Sequence, residues 1–88
     1  MDMSIYGDMN YYGKLLKVEG SHVYYEYGCS LDNMTGILMI DTEKSCWVNN
    51  RFPDGIEFET SRFCLFANKV LGQCMRGEIR EKVSREIG

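Results

Sequence analysis

Gly20-Ser21 separates two runs that alternate in the manner of β-strands, and this pair of residues restricts the fold more than any other feature of the chain. A two-residue loop that begins with glycine suits a type II′ turn, whose twist matches that of the strands it joins. Before it runs "YGKLLKVE", residues 12–19, and after it "VYYEYG", residues 23–28. Successive side chains of a strand point to opposite faces. Val23, Tyr25 and Tyr27 therefore share one face, and His22, Tyr24 and Glu26 share the other. The first set, with Leu16 and Val18 of the preceding strand, is the expected core side. The second carries an aromatic ring between two ionisable groups and needs a cover of its own or solvent.

The remaining segments extend this hairpin. A loop, "CSLDNM", holds the turn formers Ser30, Asp32 and Asn33. A third strand is expected over 35–41 ("TGILMID"), a turn at Thr42-Glu43-Lys44, and a fourth strand over 45–49 ("SCWVN"). Residues 11–49 thus read as a β-meander. Ile37 and Met39 lie on one face of the third strand and Leu38 and Ile40 on the other, the pattern of a strand covered on both sides. "NRFPDG" is a loop, and "IEFE", residues 56–59, is either a short fifth strand or a lead-in to a helix. Phe63, Ala67, Val70, Leu71 and Cys74 then recur on one helical face, widened by Leu65 and Phe66, which predicts a helix over 61–76. Thr60 or Ser61 can cap it, Glu57 and Glu59 favour its dipole, and Gly77 is a natural stop.

Ile79, Val83 and Ile87 are spaced by four, and Glu78/Lys82 and Glu81/Arg85 are i, i+4 ion pairs. A short helix or tail is therefore expected over 78–87. The fold class is α+β: one domain over 1–88, with a two-layer, four- to five-stranded antiparallel meander packed by one long C-terminal helix plus a short terminal helix. One helix covers one face of a sheet. The second face is left for the terminal helix, a partner or a second copy.

Composition narrows the chemistry. Eighty-eight residues with 44 % hydrophobic and 26 % charged side chains suit a small globular domain. The net charge of −3 argues against nucleic acid or an anionic membrane as the partner of the whole molecule. Ten acids and four bases fall in residues 1–60, a balance of −6, while six bases and three acids leave 61–88 at +3. Unbroken apolar runs such as Ile37 to Ile40 are far short of a membrane span, and residues 1–10 have no signal-peptide run, so the expected location is the cytoplasm. Cys29, Cys46, Cys64 and Cys74 contain no CxxC pair, which removes the usual zinc signature. A two-disulfide framework would have three connectivities. Without a leader, free thiols that pack as small apolar residues are expected.

His22 is the single histidine, so a two-histidine metal site or hydrolase is excluded. Its row with Tyr24 and Glu26 has the residue types of acid–base work, but beside a tight hairpin it reads as a solvated strand face. Glu57 and Glu59 lack the dense oxygen array of a calcium loop. No glycine-rich phosphate loop and no nucleophile motif is present. No catalytic residue, metal or cofactor is expected, and the chain reads as a non-enzyme.

The aromatic residues point elsewhere. Tyr6, Tyr11, Tyr12, Tyr24, Tyr25 and Tyr27 crowd the first third of the chain, with Trp47 on a nearby strand. Rigid amphipathic rings are enriched at binding hot spots. In size, acidic charge and layout, with a meander over 11–49 and a helix from Ser61, the chain resembles the small immunity proteins of bacterial polymorphic or contact-dependent toxin systems. The resemblance rests on layout rather than on a motif, so it assigns no residue a role. It implies a cytosolic protein that binds and occludes one cognate toxin, often a nuclease with a basic cleft. The residues expected to meet such a basic partner are Tyr24, Glu26, Asp41, Glu43, Trp47, Glu57 and Glu59. The alternative is a structural or regulatory module that forms a homodimer through the uncovered sheet face.

Overall fold

The computed structural model describes residues 10–56 and 60–85. Four strands follow one another as β1 (Tyr11–Glu19), β2 (His22–Gly28), β3 (Gly36–Asp41) and β4 (Cys46–Arg51). A helix, α1 (Ser61–Met75), and a last strand, β5 (Lys82–Arg85), complete the fold. The sheet is antiparallel, in the order β4-β3-β2-β1-β5. The meander and the helix lie where the sequence places them. Gly20 takes φ +62°, the positive value that the first residue of the β1–β2 turn requires.

Thr60 caps α1: its hydroxyl oxygen accepts the Phe63 amide at 3.1 Å. Gly77, at φ +82°, ends it. The buried stripe of the helix, Phe63, Phe66, Ala67, Val70 and Cys74, packs on Tyr11, Val23, Tyr25, Tyr27, Leu38, Ile40 and Val83 of the sheet. Each fully buried large side chain contributes about 1.5–3 kcal/mol of transfer free energy. Leu65, expected to widen this stripe, is exposed.

The end of the chain differs from expectation. Residues 82–85 form a strand beside β1, with Tyr11 opposite Arg85 and Gly13 opposite Val83. A spacing of four satisfies a helical face, yet it is also even, so Ile79 and Val83 fit one face of a strand equally well. The unpaired edge of β1 decides between them, because its backbone groups need partners. The Leu15 amide donates to the Glu81 carbonyl at 2.8 Å, and the Tyr25 hydroxyl donates to the Arg80 carbonyl at 2.6 Å, so the incoming chain is fastened before pairing begins. Ile87, assigned with them to that helical face, lies outside the described residues, as do Glu57 and Glu59 of the segment expected to be a fifth strand or lead-in. The fifth strand of the sheet comes from the C-terminal segment.

A bulge corrects the phase of β1. Leu15 faces Tyr25 and Lys17 faces Tyr24, so Leu16 is the extra residue. Leu15, not Leu16, packs against the core. Val18 lies opposite Val23, yet Leu16 and Val18, both expected on the core side, are each 48 % exposed.

Candidate protein-binding face

The registers arrange the side of the sheet away from α1 into rows that cross the strands. One row reads Lys82, Lys14, Glu26, Ile37 and Arg51 from β5 to β4. The next reads Lys17, Tyr24, Met39 and Val48, and a third reads Glu19, His22, Asp41 and Cys46. No helix covers these rows among the described residues. Tyr24, Ile37 and Met39 are half-buried by their neighbours and Val48 is exposed, so an apolar patch is rimmed by charge. The third strand is apolar on both faces, as its sequence indicates, but α1 covers only one of them.

The expected contact residues divide between several places. Tyr24 and Glu26 lie on the open face. Lys17 Nζ sits 4.9 Å from the Tyr24 ring centroid, and the His22 ring meets Tyr24 edge-on. Trp47 points to the helix side, where it meets Phe63 edge-on at 5.3 Å and its indole N–H donates to Asn68 Oδ1 at 2.8 Å. It does not share a surface with Tyr24. Asp41 is only 5 % exposed. Its Oδ1 accepts the amides of Glu43 and Lys44, each at 3.0 Å, and its Oδ2 lies 3.3 Å from His22 Nε2. The Lys44 amide, aided by the Glu43 amide and His22 and opposed by burial, holds the Asp41 carboxyl below its usual range. Asp41 thus shapes the β3–β4 turn, and Glu43 is exposed on that turn. Glu57 and Glu59 lie outside the described residues. The described members of the set do not form a single acidic patch.

The core side holds groups with altered acidity but little reactivity. Burial pushes Tyr11 and Tyr25 up to about 12, and it raises the Cys29 and Cys74 thiols, which lie against those two hydroxyls. A raised thiol carries little thiolate and is a poor nucleophile. No disulfide joins the four cysteines. Among the described residues, no three His, Cys, Asp or Glu side chains gather as a metal site, and no helix is long and apolar enough to cross a membrane.

The row of charge that includes Lys14 and Lys82 was not legible in the sequence, because it exists only once β5 pairs with β1. A helical reading of 78–87 pairs Lys82 with Glu78, whereas in the structure the Glu78 carboxylate meets Arg76 and Arg80. Compared with family models, with curated proteins and with solved structures, the chain matches none of them.

Proposed function

We propose that this protein works by binding another protein across the open face of its sheet, and that it does so as an inhibitor that occludes its partner in the manner of an immunity protein. The supporting observation is the Tyr24–Met39–Val48 row, left open by the described residues, flanked by Ile37 and rimmed by Lys14, Lys17, Glu19 and Glu26. An apolar centre with a charged rim is the usual anatomy of a recognition surface. Tyr24 is its rigid anchor, and the partner's surface supplies the second layer that no described helix provides over this face. The rim carries both signs, so complementarity comes from placed pairs rather than from an acidic field.

One observation favours a second reading, a symmetric homodimer through the same face. Charges of both signs edge the patch, with Lys14 and Lys17 near Glu19 and Glu26, so a second copy can meet opposite charges across a two-fold axis.

Native mass spectrometry of the protein captured gently from its own cells, at low salt, tests both, with Met39→Lys as the control. The inhibitor reading expects a stoichiometric complex with one other protein that Met39→Lys abolishes while circular dichroism is unchanged. A bare homodimer abolished by the same change supports the second reading instead. A complex that survives Met39→Lys, or a bare monomer, overturns the use of this face.

A further inference from the structure

The β1–β5 flank of the open face has a chemistry separate from the apolar row. Lys14 and Lys82 stand directly opposite each other in the antiparallel pair. Residues so placed have β-carbons about 5 Å apart, and like charges there oppose the pairing. Glu26 faces Lys14 from β2 in the same row. Even so, among the described residues neither lysine makes an ion pair, and both are exposed. The register therefore roots two lysines side by side, neither of them in an ion pair with a described residue.

Both lysines line one hollow of about 320 Å³, whose other side chains include Tyr12, Leu31, Met34 and Ser84. The hollow has a local cause. Gly28 lies opposite Tyr12 on this face, and a β-carbon there would run into the Asn33 carbonyl and the Met34 α-carbon. The missing side chain lets the β2–β3 loop lie down on the sheet, which brings Leu31 and Met34 beside Tyr12. Leu31 is 71 % exposed, an apolar side chain facing water at the wall of a hollow. The volume is at the small end of the roughly 300–1,000 Å³ typical of small-molecule sites.

We propose that this hollow binds a medium-chain organic carboxylate. The carboxylate lies between the Lys14 and Lys82 ammonium groups and relieves their repulsion, and the alkyl tail lies against Tyr12, Leu31 and Met34. A neighbouring hollow of about 290 Å³ shares both lysines, but Glu81 stands in its wall with Leu15 and Leu16. That carboxylate repels an anion, so the ligand belongs on the Tyr12 side. The inference requires no protein partner on the Tyr24–Met39–Val48 row, although Lys14 belongs both to the hollow and to the rim of that row.

The test is a titration of the isotope-labelled protein with octanoate, followed by amide chemical shifts, with 1-octanol and acetate as matched probes. Octanoate is expected to cause saturable shifts at Gly13, Lys14, Leu31, Lys82 and Ser84, with the two controls weaker by about fivefold or more. Lys14→Gln and Lys82→Gln are each expected to weaken octanoate by about fivefold. Lys17→Gln, away from the hollow, leaves binding unchanged. Both hollow variants are expected to melt no lower than the wild type, since each removes one of two opposed like charges. Absence of saturable shifts, shifts centred on other residues, equal binding of 1-octanol or acetate, or an equal loss in Lys17→Gln overturns the proposal.

Discussion

Gly13→Ala is the change that most directly tests how β5 docks. Gly13 sits on β1 opposite Val83, with its open side toward the core. A β-carbon at this position would lie 2.9 Å from Val83 Cγ2 and 3.2 Å from Phe66 Cζ. Both are closer than ordinary carbon contacts of about 3.5–4.0 Å. Phe66 is fully buried in the centre of the core and has nowhere to move. Val83 is stiff about χ1 but belongs to a four-residue edge strand, so β5 gives way first. Overpacking of this kind costs about 1–3 kcal/mol. Alanine also restricts the unfolded chain and returns about 0.4–1 kcal/mol. A net loss of about 1 kcal/mol is expected, a fall in Tm of roughly 4–8 °C for a domain of this size.

The mechanism is separable from the loss itself. Val83→Ala alone removes two methyl groups and should cost about 1.5 kcal/mol. In the double variant, the methyl group added at position 13 fills space that the valine side chain vacated. The two losses should therefore fall short of additivity by about 1 kcal/mol. Urea unfolding of the four proteins supplies the cycle. Additive losses, or a Gly13→Ala variant as stable as the wild type, would refute the packing of β5 against β1 that this reasoning requires.

Two further perturbations test the turn and the core. Asp41→Asn should flatten the acid limb of the stability profile: the lowered carboxyl contributes stability above its unfolded value, and that stability is lost as pH falls through the still lower folded one, so urea midpoints read between about pH 5 and 2 report it. At the alkaline end, Tyr11 and Tyr25 ionise near 10 when unfolded but only near 12 when folded. Stability should therefore decline as pH rises through that interval, and tyrosinate absorbance should show both rings ionising only near 12 or on unfolding; Tyr25→Phe should reduce the decline and cost about 1 kcal/mol at neutral pH through the lost bond to the Arg80 carbonyl.

The elements legible in the sequence are those whose signals are local. Gly20-Ser21 sets its hairpin, and Thr60, the apolar stripe and Gly77 set α1. The misread segments depend on distant partners. The spacing of Ile79 and Val83 fits two periods, and only the vacant edge of β1, far away in sequence, selects the strand. The bulge at Leu16 leaves no mark in "YGKLLKVE", yet it decides which leucine is buried. The contact residues fared similarly. That Tyr24 and Glu26 share a face follows from strand parity alone. That Trp47 lies on the opposite face follows from the β3–β4 register, which no single strand encodes. Asp41 looks like one more exposed acid until the turn folds back and gives it two amides to accept.

The pairing of β5 with β1 also places the two ends of the described fold side by side, with Tyr11 abreast of Arg85. A short turn joining those positions would convert the sheet's most distant pairing into a hairpin, and the chain could then be opened at the exposed Asp54-Gly55 that follows β4, which leaves the other three hairpins intact. Such a permuted protein would keep every strand neighbour while lowering the loop-closure entropy of the β1–β5 contact, which grows with the logarithm of the intervening length. Its folding should be faster for that reason, since two-state rates track the sequence separation of contacts.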